Sequence, residues 1–192
     1  LSKTREDGWN LVCEYIQSES LRKHCLAVET AMRAYAGEFG EDPEYWGLVG
    51  LVHDFDYEIH PTLDQHPQDG APILRERGFP EEVIQDALSH ADHLELPRDT
   101  PIRKTIFAVD ELTGFISAVA LVRPSKAVAD VTPSSVKKKM KDKAFARAVD
   151  REAMREGAEL LGVDFDEHIE FVVQAMTENA DALGLAGIPT NE

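Results

Sequence analysis

The chain has 192 residues, with 36 acids against 20 bases and a formal net charge of −16. At 43% hydrophobic and 29% charged residues it is too apolar for disorder. Its acidity speaks against wrapping a nucleic-acid polymer or docking on an anionic membrane, because both need clustered cations. Two cysteines, Cys13 and Cys25, cannot build a disulfide scaffold. Their apolar helix positions read as buried free thiols of a reducing compartment. No segment reaches the ~20 apolar residues of a membrane span, and the charged N-terminus lacks a signal-peptide core. The expected location is therefore cytoplasmic.

The periodicity is helical almost throughout. Thr4 caps a first predicted helix with Trp9, Val12, Cys13 and Ile16 on one face. Ser18 or Ser20 starts a second, striped by Leu21, Cys25, Val28, Met32 and Tyr35 and closed by Gly40. Asp42-Pro43 opens a third that runs to about Asp54 through Trp46, Val49, Leu51 and Val52. Residues 55–65 are polar and turn-rich, and a short helix follows Pro67 with Pro72 forcing a kink or a late start. Gly78-Phe79-Pro80 punctuates, and residues 81–93 read as helix. A long helix begins at Thr100-Pro101 and ends before Arg123-Pro124. Further segments start at Thr132-Pro133, span 145–161, and span 166–183. No stretch alternates as a strand does. The expected fold is an all-α, single-domain helical bundle of eight or nine helices over residues 1–184. Its metal-site core is 20–120, helices 132–184 pack on that core, and 185–192 form a short tail.

The histidines break the apolar pattern in an informative way. His24 falls on the Leu21–Cys25–Val28 face, His53 follows Trp46 and Val49 at helical spacing with Asp54 beside it, and His90 continues the Val83–Ala87 line. Asp110 sits on the Ile106–Val109–Thr113 face. A single inward histidine is ordinarily a core residue satisfied by one hydrogen bond. Three histidines and two aspartates on the apolar faces of four helices are different, because buried carboxylates must be paired, hydrogen-bonded or metal-bound. Converging His and Asp is how helical bundles build metal sites, and this donor set suits Fe, Mn, Co, Ni or Zn.

The order His24, His53-Asp54, Asp110 resembles the H…HD…D signature of the HD superfamily, all-helical metal-dependent phosphohydrolases. His66-Pro67 with Gly70 and Ile73-Leu74 is similar to the HP..G..IL segment of HD proteins with further metal ligands. Ser89-His90-Ala91-Asp92-His93 resembles their next ligand segment, and the run from Val109 to Ile116 their long last helix. The likeness is to a compact HDIG-type hydrolase. It implies one or two divalent ions, the first held by His24, His53, Asp54 and Asp110. Asp54 would bridge to a second, held also by His66 and His90, with His93 as an additional candidate. His60 reads as surface or pocket rim, and His168 as structural or exposed.

Phe55-Asp56-Tyr57-Glu58 follows the HD pair where cyclic-dinucleotide phosphodiesterases of the superfamily carry a Gly and a Lys. Their later Gly-Tyr-Pro element is also missing, which speaks against cyclic-di-GMP hydrolysis. Asp56 reads either as a proton carrier beside the site or as a solvated loop acid.

Charge is segregated. Residues 1–121 carry net −13, residues 122–151 net +6, and residues 152–192 net −9. The island reads either as a solvated lysine face or as a patch that draws in an anionic substrate. Arg123, Lys126 and Lys137 are its candidate substrate contacts. The expected activity is hydrolysis of a phosphate ester, a nucleotide or a small phosphorylated metabolite, by metal-activated water. Asp54 and Asp56 are the candidate catalytic carboxylates. The alternatives are an HD-fold diiron oxygenase cleaving a C–C or C–P bond, and a non-catalytic nucleotide-binding regulatory module. The expected partner is the small substrate, not a nucleic-acid polymer or a membrane.

Overall fold

The computed structural model describes residues 2–189. Among them are ten α-helices, two 3-10 turns and no strand, in agreement with an all-α architecture. None of these helices is long and apolar enough to cross a membrane. The chain divides into two compact units, one ending at Phe107 and the other starting at Ala108.

In the first unit, α1 (Arg5–Tyr15) starts at a capping box in which Thr4 and Asp7 satisfy each other's backbone N–H groups. Helix α2 (Glu19–Phe39) is capped by Ser18 and stopped by Gly40 at φ 68°. The short turn to Asp42, the cap of α3 (Pro43–Val52), folds α3 back on α2. Helix α3 is buried on every side from Trp46 to Val52, so it is the core of this unit rather than one wall of it. Gly50 makes its approach possible. A Cβ there would stand 2.9 Å from Met32 Cγ and 3.1 Å from the Val28 carbonyl oxygen. Glu29 is 4% exposed, and its carboxylate is held by Arg5 at 2.6 Å and Arg33 at 3.0 Å. Pairing is what makes such burial tolerable.

The rest of the unit is α4 (Gly70–Glu76), α5 (Glu81–Leu88) and the start of α6 (Pro101–Leu121). Pro72 acts as a late start, because α4 begins at Gly70 and places the proline in its first turn. Helix α5 is shorter than the predicted 81–93: it stops at Leu88, and a 3-10 turn follows at Asp92–Leu94. The free cysteines differ in burial, Cys25 being buried and Cys13 half-buried.

In the second unit, α7 (Pro133–Met140), α8 (Arg151–Leu161), α9 (Phe165–Glu178) and α10 (Ala180–Leu183) follow the end of α6. The helix expected from residue 145 begins only at Arg151, capped by Asp150. The Arg151 guanidinium donates to the carbonyls of Met140, Asp142, Phe145, Ala146 and Val149, so one side chain replaces a helical ladder there. After Gly184 the chain is still held. Val128 N–H donates to the Leu185 carbonyl at 2.9 Å and Ile188 N–H to Ser125 at 2.8 Å. Residues 190–192 of the expected tail, and Leu1, lie outside the described residues.

His168 is structural: it is 1% exposed and its Nε2 donates to the Ala108 carbonyl at 2.9 Å. Burial lowers its pKa, against the opposing effect of that hydrogen bond. The unfolded chain therefore takes up the proton first, below about pH 6.5. Stability is expected to fall as pH drops through that value. Urea unfolding of the wild type and His168→Gln between pH 8 and 5 checks this, and the variant should lose that part of the pH dependence.

Candidate metal centre

His24 projects from α2, and His53 and Asp54 directly follow α3. Because Gly50 draws the two helices together, the His24 and His53 rings lie 5.3 Å apart at 64°. His66 comes from the turn-rich segment before Pro67, and His90 from the turn after α5. The four imidazoles meet at one carboxylate, that of Asp54. Asp54 Oδ2 lies 3.5 Å from His24 Nε2 and 3.4 Å from His53 Nε2. Its other oxygen, Oδ1, lies 3.1 Å from His66 Nε2 and 3.4 Å from His90 Nε2. Each oxygen of Asp54 thus faces two imidazole nitrogens, and the carboxylate stands between two groups of ligand atoms. One is His24, His53 and Asp54; the other is Asp54, His66 and His90. Within each, the atoms lie within 4.8 Å of one another.

The other ring nitrogens decide what the inward ones offer. His53 Nδ1 lies 2.7 Å from the Gly50 carbonyl, His90 Nδ1 2.7 Å from the Ala87 carbonyl, and His66 Nδ1 2.9 Å from Asp56 Oδ1. These oxygens only accept, so each Nδ1 carries a proton, and whenever the ring is neutral its Nε2 lone pair turns inward. Lone pairs aimed at a carboxylate repel unless a proton or a cation sits between them. The Nε2 atoms of His66 and His90 are themselves 3.3 Å apart and raise the same demand. These His/Asp groups are able to hold metal ions and carry outer support, and among the described residues no thiolate belongs to either group.

Electrostatics agree. Burial pushes the Asp54 carboxyl up, but the charge of His53 and hydrogen bonds from His24, His53 and His66 outweigh it and hold it well below the usual carboxylate range. Burial lowers the pKa of His66, yet its bonds to Asp54 and Asp56 prevail and raise it to about 9. At neutral pH the metal-free centre therefore keeps a proton on His66 that a cation must displace. Uptake of Co2+ at pH 7.5 is expected to release about one proton from this group. Calorimetry in two buffers of different ionisation enthalpy checks it, and proton-silent uptake would contradict it.

Asp56 is 0% exposed, which excludes the solvated-acid reading. Its Oδ1 takes His66 Nδ1 and its Oδ2 lies 3.1 Å from His60 Nδ1. His60, expected at the surface or the pocket rim, is half-buried and joined to the centre through Asp56; the i, i+4 spacing of these two residues was the available signal. Tyr57 sets its ring edge-on to His66 at 5.1 Å. His93 belongs to neither ligand group: it is exposed, and its Nε2 lies 3.1 Å from Gln68 Oε1.

The remaining candidates lie in the second unit. Asp110 is half-buried on α6, three residues beyond Phe107. Arg123 is half-buried, and Lys126 is exposed with φ 51°. Lys137 Nζ donates to Asp166 Oδ2 at 2.7 Å, so this ammonium already has a carboxylate partner.

Comparison with known proteins agrees with this geometry. The family model described as the HD domain matches residues 21–114, a span that runs from the start of α2 past Asp110 and includes every ligand named above. No curated protein and no solved structure matches the chain.

Proposed function

Residues 21–114 are an HD domain, and from that premise we propose that the chain is a metal-dependent hydrolase of phosphate esters acting on a nucleotide or a small phosphorylated metabolite. The observation that carries the reading is the Asp54 carboxylate, with two Nε2 atoms facing each of its oxygens. His24, His53 and Asp54 would hold one cation, with Asp110 as its fourth ligand, and Asp54, His66 and His90 would hold another. Divalent ions bound there would supply Lewis-acid polarisation of the phosphoryl group and would acidify water at neutral pH.

The protein's own groups do the rest. Gly50, Ala87 and Asp56 keep the Nδ1 protons in place, so the imidazoles bind as neutral donors. Asp56 is buried between His66 and His60 and holds a proton position on each side. With half-buried His60 it is the group suited to carry a proton away from the centre. Arg123, Lys126 and Lys137 belong to the proposal as cations that offset the charge of the substrate. So does a cytoplasmic location, which suits an acidic chain with two free thiols.

The test is a phosphate-release assay. Metal-depleted full chain is reloaded separately with Mn2+, Fe2+, Co2+, Ni2+ or Zn2+ and offered nucleotides, sugar phosphates and an aryl phosphate. Turnover that requires a metal is expected, and silence with every metal overturns the proposal. One observation favours a second reading. The second group contains two histidines and one carboxylate, a donor set suited to non-haem Fe(II) and dioxygen. Oxygen consumption by the Fe2+-loaded protein in the same panel would select that reading.

A further inference from the structure

His90, a ligand of the second group, sits in the turn after α5, where no regular element sets its place. Helix α5 ends at Leu88, so the carbonyls of Ser89 and His90 have no helical N–H ahead of them. Arg98 supplies both donors. Its Nε donates to the Ser89 carbonyl at 2.9 Å and its Nη2 to the His90 carbonyl at 3.1 Å. Its Nη1 takes Asp92 Oδ1 at 2.6 Å. The guanidinium carbon lies over the Phe107 ring, 3.7 Å from its centroid, and Phe107 is itself 5% exposed on α6. The fork is thus backed by a rigid aromatic wall and spans the turn that carries His90. A lysine has the charge but not the planar fork that reaches two carbonyls at once.

We propose that Arg98 is a positioning residue for the second cation position. By fixing the Ser89–His90 backbone it holds His90 Nε2 opposite Asp54 Oδ1 and His66 Nε2. It does not serve the first position, where His24 is set by α2 and His53 by its bond to the Gly50 carbonyl. The inference rests on the two-cation reading above and adds a residue outside the ligand set. It makes the second position separable from the first by a change at a side chain that touches no cation.

The experiment is calorimetric titration of the metal-free full chain with Co2+, alongside the thermal melt and far-UV circular dichroism of the metal-free form. The wild type should take two equivalents. Arg98→Met, which keeps an unbranched apolar stem and removes the donors, should bind the first equivalent as before. It should bind the second about tenfold or more weakly, the usual cost of losing outer support of a ligand. A purely structural role would lower the melting temperature and leave both equivalents intact, and that result overturns the inference. If Arg98→Met loses its helical signal, Arg98→Lys takes its place with the same expected loss. Failure of both variants to fold overturns the inference by making Arg98 a core residue. A wild type that takes only one equivalent overturns the two-cation reading and this inference together. Two unchanged equivalents in the variant overturn this inference alone.

Discussion

Asp54→Asn is expected to empty both cation positions at once. The carboxylate is the only group shared by the two ligand sets, and an amide keeps its volume and loses its charge. With the cations goes their Lewis-acid contribution of several kcal/mol, so kcat should fall by about 10³-fold or more. The same change acts on the metal-free protein. Against the effect of burial, His66 is held up at about 9 by its bonds to Asp54 and Asp56. In Asp54→Asn one of these is neutral, so the His66 pKa should move down. Metal analysis, phosphate release and an NMR titration of the histidine ring protons check the three parts. A variant that keeps two cations and full turnover would sink the assignment of the centre.

Gly70→Ala is expected to damage the centre from behind. Helix propensity alone favours alanine at this position in α4 by up to about 1 kcal/mol. The contacts say otherwise. A Cβ on Gly70 would stand 2.8 Å from Asp56 Cγ, 2.9 Å from Oδ2 and 3.0 Å from Cβ. Asp56 is 0% exposed and bonded to both His66 and His60, so it cannot swing into solvent without breaking those bonds. Overpacking of this kind costs about 1–3 kcal/mol, more than the propensity returns. The net expectation is a loss of stability and a roughly tenfold weaker second cation, because Asp56 orients His66. Urea unfolding and Co2+ titration of the variant test it. A more stable protein with unchanged Co2+ affinity would show that Asp56 yields freely.

The ligand residues were legible because their chemistry conflicts with their surroundings. Histidines and aspartates at the inward positions of otherwise apolar helices announce a site, and the adjacent His53-Asp54 pair names it. The starts of α1, α2, α3 and α7 were equally legible, since Thr4, Ser18, Asp42 and Thr132 are local caps that need no tertiary partner. The end of α5 was not. The apolar line from Val83 through Ala87 to His90 continues the helical period, and what stops it is Arg98 taking the Ser89 and His90 carbonyls from nine and eight residues away. The late start of α8 has the same cause, with Arg151 in the part of Arg98. Asp56 was balanced between two readings because a loop acid carries no periodic signal, and only its burial against His66 and His60 resolves it.

By itself, then, the sequence determined the all-helical class, the caps, the inward histidines and the adjacent His53-Asp54 pair, all of which follow from order and spacing along one chain. Tertiary structure alone decided which Asp54 oxygen faces which imidazoles, which ring nitrogens keep their protons, and that His93 turns to Gln68 instead of the centre. The physical reason is directional. A lone pair is useful only along its own axis, and that axis is set by carbonyls, carboxylates and guanidinium forks that come from elsewhere in the fold.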